Sequence, residues 1–226
     1  NFTVGHFELI ERIIPSLGKP LKVQFFVLKE YLEGAQKLLD QVEIFVEFFT
    51  KKFGQFPWIE EKLGIVNTPY FGMEHQTMIA YGNDYKKNEK GYDFLLFHEM
   101  AHEWWGNYLS VSDWSDFWIH EGFAVYSEAL YIEEKYGSEE YKSFFTKNIS
   151  KKIPLSKPIV LERNATMSQV FGLDPYYKGA FVLHMLRYLV GDEKFFKILK
   201  ELLHSKKDLP NNQITTSDFI DIVHNV

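Results

Sequence analysis

The 226-residue chain contains no cysteine. That excludes disulfides and thiolate metal ligands but leaves the compartment open: cytoplasm, periplasm and cell surface all remain. It also lacks any uninterrupted apolar stretch of the roughly 18 residues that a membrane helix needs. Its opening, Asn-Phe-Thr-Val-Gly-His, has no basic segment followed by an apolar one, so no export signal is read there. Long basic runs are absent and the formal net charge is −6, which argues against a nucleic-acid surface. No internal repeat or low-complexity tract is present. What remains is a globular chain, 46% hydrophobic, long enough to bury a substantial core as one larger domain or as two lobes about a cleft.

The most informative segment is His98-Glu99-Met100-Ala101-His102, followed by Glu121 within Trp118-Ile119-His120-Glu121-Gly122. On a helix, His98 and His102 lie one turn apart on one face, so two imidazole nitrogens can reach one ion. Glu99 is offset from that face but borders it, the place for a general base rather than a ligand. A catalytic zinc site takes three protein ligands and keeps a fourth position open, and Glu121 fits the third. The lead-in Asp93 to Phe97 (Asp-Phe-Leu-Leu-Phe) is apolar on all sides, as for a buried helix, where unpartnered His and Glu would be costly. A metzincin would need Gly and His where Trp105 and Tyr108 stand. Other divalent ions also accept two imidazoles and a carboxylate, so the ligands alone do not single out zinc.

These residues match a known pattern. His98 to Asn107 (HEMAHEWWGN) with Trp118 to Ala124 (WIHEGFA) resembles the aminopeptidase N family of gluzincin zinc peptidases. Gly72-Met73-Glu74-His75 upstream and Tyr176-Tyr177-Lys178-Gly179-Ala180 downstream stand where that family has two further signatures, and the resemblance spans roughly residues 20 to 226. It implies an α+β, thermolysin-like catalytic domain with one zinc ion in the cleft. Glu74 would hold the free α-amine of a peptide while the backbone of Gly72 and Met73 aligns the substrate. The Tyr176 phenol would donate to the developing oxyanion. Lys178 is expected to orient its turn or pair with a carboxylate. The sequence departs from the pattern at His75, where the family usually has Asn, and at Phe71, where a small residue is common; a structural role is expected for His75.

The implied reaction is hydrolysis of an N-terminal peptide bond, with water activated by the metal and Glu99 carrying its proton to the leaving amine. The rivals are a zinc hydrolase of the same fold acting as an endopeptidase or on a non-peptide substrate, and a binding module that has lost catalysis. Glu103, Asn107, Asp116 and Glu128 are candidate partners for the second nitrogens of the histidines. His6, His184, His204 and His224 have no motif around them and read as surface or packing residues.

Residues 1–90 read as a mixed-sheet lobe and 91–226 as a helical lobe. Leu21 to Leu28 and Leu63 to Asn67 read as strands, and Gly72 to Tyr81 as one substrate-edge strand. Ala35, Leu38, Leu39, Val42, Phe45, Val46 and Phe49 follow helical spacing. Gly82 to Gly91 is a polar loop. Helices are then expected at the motif, around Phe117 to Tyr136, and near Glu139 to Ile153, Tyr176 to Val190, Asp192 to His204 and Ser217 to Val226, with Lys151 to Thr166 an irregular connector. A chain that starts at Asn and ends in an amphipathic segment looks excised from a longer one. By the family resemblance, a β-rich domain before it and a helical domain after it are expected partners, besides a peptide with a free N-terminus.

Overall fold

A computed structural model describes residues 1–153, 158–172, 174–205 and 212–226. The chain divides into two compact units, Asn1–Asn107 and Tyr108–Val226. The first is a mixed sheet with two helices and the second is mainly helical, the α+β plan expected.

In the first unit, β1 (Phe7–Ser16) and β2 (Lys19–Leu28) form an antiparallel hairpin. On β2 the alternating Leu21, Val23, Phe25 and Val27 are all fully buried, the period-2 signature of a strand with one face on a core. Helix α1 (Leu32–Phe53) then crosses to β3 (Leu63–Asn67), which pairs parallel to β2 as such a long connection permits. The whole apolar stripe read from α1 is buried. The expected Gly72–Tyr81 strand is instead two short ones, β4 (Gly72–Met73) and β5 (Ile79–Tyr81), which pair antiparallel across a turn. The physical reason lies in that turn: His75 N–H donates to the Met73 carbonyl and Met78 N–H to the His75 carbonyl, so the backbone folds back instead of running on. The sheet order β1-β2-β3-β5-β4 leaves β4 at the edge.

Helix α2 (Phe94–Ala101) carries His98 to Ala101 of the His-Glu-Met-Ala-His motif, with His102 at its C-cap. Asp93 caps it, one oxygen accepting from Leu96 N–H at 3.0 Å and from the Asn83 amide at 3.1 Å, the other from the Tyr81 hydroxyl. The Asp93 N–H donates to the Gln41 side chain on α1. The Phe97 ring packs 5.1 Å from Phe45 and 4.7 Å from Phe49, fixing the rotation of α2 on α1.

The second unit is built on α3 (Trp118–Tyr136), buried along most of its length. Helices α4 (Ser138–Phe144), α5 (Met167–Val170), α6 (Gly179–Val190), α7 (Asp192–Ser205) and α8 (Thr216–Asn225) follow. A π-type turn, Asp174–Lys178, leads directly into α6. The two-residue strands β6 (Ser110–Val111) and β7 (Gln213–Ile214) pair parallel. His184 is a packing residue, as expected: its ring stacks on Phe145 at 4.2 Å and its Nδ1 meets the Tyr141 hydroxyl at 2.8 Å. Part of the Lys151–Thr166 connector lies outside the described residues. No described helix is long and apolar enough to cross a membrane.

Burial holds the Asp93 carboxyl above its usual range, against the pull of its hydrogen bonds. Asp93→Ala removes the cap and strands the Tyr81 hydroxyl and Asn83 amide, and should cost about 2–4 kcal/mol in urea unfolding. A raised carboxyl keeps its proton in the folded state after the unfolded chain has released it. Its contribution is therefore fully present below the unfolded pKa of about 3.9 and is lost as pH rises through the folded value. The stability of Asp93→Asn relative to wild type should accordingly grow as pH rises above about 4. A constant difference would contradict the assignment.

Candidate functional site

In the first unit, His98 and His102 bring their Nε2 atoms within 3.1 Å of each other. Two nitrogens each about 2.05 Å from one tetrahedral ion would stand roughly 3.3 Å apart, so the pair fits a shared metal. His102 is 1% exposed and its Nδ1 lies 2.9 Å from the Trp105 carbonyl. That carbonyl can only accept, so Nδ1 carries the proton and Nε2 presents its lone pair. The partner is thus a main-chain oxygen three residues on, which no side-chain pattern could reveal, rather than one of the candidates Glu103, Asn107, Asp116 and Glu128.

Glu99 is 6% exposed and, with Glu74, joins His102 in a group whose ligand atoms all lie within 4.8 Å of one another. The edge strand brings Glu74 there. Gly72 on that strand leaves room for the motif helix: a Cβ there would stand 2.7 Å from Glu99 Oε1 and 2.8 Å from Leu95 Cδ1. Met73, the next residue on this edge, is partly exposed. Glu103 is fully buried, accepts from Thr77 N–H at 2.9 Å and lies 3.4 Å from the Asn107 amide, which donates to the Glu74 carbonyl at 2.9 Å. Burial pushes the Glu103 carboxyl up to about 7, while the Thr77 and Asn107 hydrogen bonds pull the other way.

In the second unit, Glu121 occupies the first turn of α3 and is 4% exposed. A carboxylate is favoured there by the free N–H groups of a helix start. His120 anchors the same turn, its Nε2 accepting from Val111 N–H at 3.2 Å. Asp116 is committed elsewhere: one oxygen accepts from Thr216 N–H at 3.0 Å and the other pairs with Arg163. Tyr176 lies half-buried in the Asp174–Lys178 turn, beside Tyr177, whose hydroxyl accepts from Lys152 at 3.0 Å. Lys178 pairs with Asp174 across that turn, the carboxylate pairing that is one of its two expected roles. Gly122, next to Glu121, meets Gly179, three residues beyond Tyr176: a Cβ on Gly122 would be 2.8 Å from Gly179 Cα. The two motifs of this unit therefore touch through two missing side chains.

A capped helix with paired imidazoles and an adjacent buried carboxylate, beside an edge strand, defines a zincin-type peptidase scaffold. Residues 38–226 match the peptidase family M1 domain, and the chain belongs to that family. It is 29% identical to human endoplasmic reticulum aminopeptidase 2 over 82% of its own length and 21% of the relative's. It is 28% identical to pig glutamyl aminopeptidase over 96% of its length and 24% of the relative's. Rat aminopeptidase N is 34% identical over 49% of this chain and 13% of that protein. The chain thus spans about a quarter or less of these curated relatives. An M1 zinc metallopeptidase from Deinococcus radiodurans superposes with a TM-score of 0.79 at 22% identity, covering 98% of this chain and 49% of that one. Legionella pneumophila aminopeptidase A in complex with aspartic acid gives 0.80 at 16% identity, covering 98% and 26%. At these identities the two structures establish a shared fold.

Gly122→Ala forces a methyl against the Gly179 backbone and should lower stability by about 1–3 kcal/mol in thermal or chemical unfolding. Gly122→Ser should cost at least as much. An unchanged melting temperature for Gly122→Ala would mean that the helices can separate there without penalty.

Proposed function

We propose that the chain is the catalytic part of a zinc-dependent aminopeptidase, with His98, His102 and Glu121 holding one zinc ion. The observation that carries this reading is the placement of two carboxylates, Glu99 and Glu74, within 4.8 Å of His102, whose Nε2 faces that of His98. Membership of the M1 family and relatives named as aminopeptidases support it. A zinc ion bound there supplies Lewis acidity for the scissile carbonyl and the attacking water. Glu99 takes the proton of that water and later delivers it to the leaving amine. Glu74 pairs with the substrate's α-ammonium, so that the bond presented for cleavage is counted from the N-terminus. The main-chain groups of Gly72 and Met73, on the sheet edge, align the peptide as an added strand. The Tyr176 hydroxyl donates a hydrogen bond to the oxyanion that develops as water adds to the carbonyl. Glu99 and Glu74 are both needed: a base beside the histidine pair makes a hydrolase, and the second carboxylate makes it selective for a free amine. An endopeptidase of the same fold has no use for Glu74. The β-rich and helical domains that flank this part in a longer parent chain are proposed partners.

The test compares one short peptide, amine free or acetylated, as substrate for the zinc-loaded protein and for Glu99→Gln. Cleavage of the free-amine form alone is expected, falling about 10²–10⁴-fold in Glu99→Gln while metal analysis still finds one zinc per chain. Equal cleavage of both peptides would make the protein an endopeptidase and remove the role of Glu74. Chelation should abolish activity and added zinc restore it.

A further inference from the structure

The turn after the edge strand holds backbone that its sequence does not favour. Thr77 lies at φ +58, in the left-handed region that β-branched residues rarely enter. Such a conformation persists only where the surroundings over-determine it, and these places cluster at functional sites. Here both sides of Thr77 are held. Its N–H donates to Glu103 Oε1 at 2.9 Å and its carbonyl accepts from Gly64 N–H at 3.1 Å, an approach that a side chain at Gly64 would block. At the other end of the turn, the Asn107 amide donates to the Glu74 carbonyl at 2.9 Å and lies 3.4 Å from Glu103 Oε2. A buried carboxylate and an amide, both on the stretch that follows His102, thus grip residues 74–77 at both ends.

We propose that Glu103 and Asn107 are positioning residues for amine recognition. They set Glu74 against Glu99 and His102, and so fix the distance between the N-terminus of a bound peptide and the bond that is cut. The proposal rests on the aminopeptidase reading of Glu74. Glu103 acts as an anchor, since its oxygens face Thr77 N–H and the Asn107 amide. His102 is oriented separately, through the Trp105 carbonyl. Loosening the turn therefore weakens the hold on the substrate amine while leaving the histidine pair in place.

The experiment measures kcat and KM for the free and the acetylated peptide, with zinc content, for the zinc-loaded wild type, Asn107→Ala, Glu103→Ala and Glu103→Gln. Asn107→Ala and Glu103→Ala should raise KM for the free-amine peptide about tenfold or more, with kcat changed far less and zinc retained. Glu103→Gln keeps an oxygen for Thr77 N–H and should recover most of the loss. Asn107 is half-buried, so its variant tests the idea even if Glu103→Ala does not fold. Wild-type selectivity in Asn107→Ala, or a loss confined to kcat or to zinc content, would overturn the proposal alone. A wild type that cuts both peptides equally, or neither, would overturn the aminopeptidase reading and this inference with it.

Discussion

The first unit is organised around one buried carboxyl group. Asp93 takes hydrogen bonds from Tyr81 at the end of β5, from Asn83 in the following loop and from the first turn of α2, while its N–H reaches Gln41 on α1. Sheet, long helix and motif helix are thereby tied at a single residue. The tie matters because α2 has only eight residues, Phe94–Ala101, far below the length at which a helix is stable by itself. Its position must come from tertiary contacts, and the aromatic packing of Phe97 supplies only the rotational part. The facing of His98 and His102, on which any metal chemistry depends, follows from a cap five residues before His98.

Close approach through missing side chains is the second device, and it recurs in both units. Gly64 lets β3 meet the Thr77 carbonyl, Gly72 leaves room for the Glu99 carboxylate, and Gly122 against Gly179 brings two motif segments into backbone contact. Each of the last three belongs to a motif for which residue chemistry alone offers no reason to require glycine. Space is the reason: a methyl group at Gly122 or Gly179 would meet backbone, and one at Gly72 would displace the Glu99 carboxylate from its place.

Much of this was legible in the sequence where one strong physical signal governed the outcome. The α1 stripe from Ala35 to Phe49, the strand Leu63–Asn67 and the buried character of α2 follow from hydrophobic periodicity. The hairpin hidden within Gly72–Tyr81 was not legible, because its turn lacks the Gly, Pro or Asn signals that mark turns and instead holds a threonine at positive φ by tertiary hydrogen bonds. The partner of His102 was illegible for a similar reason: main-chain carbonyls have no letter in a sequence. Glu103, Asn107 and Asp116 were recognisable as polar residues near a metal motif. Only the fold distinguishes those that grip the Glu74 turn from the one that ties α8 to Arg163.

Three glutamates close together in the first unit show how environment divides labour among identical side chains. Glu103 is fully enclosed and faces N–H donors on two sides, an arrangement that suits an anchor and excludes exchange with a substrate. Glu99, nearly as buried, directs an oxygen toward the side-chain-free space at Gly72 and has a carboxylate oxygen within 4.8 Å of a His102 ring nitrogen, which suits the proposed role of taking a proton and giving it back. Glu74 is half-buried at the sheet edge, open enough to meet an incoming ammonium and enclosed enough for the pairing to count. The order of decreasing enclosure, Glu103, Glu99, Glu74, is thus also the order of their proposed roles, from scaffold to chemistry to recognition. Exchanging the environments of any two would leave the same composition without the same site.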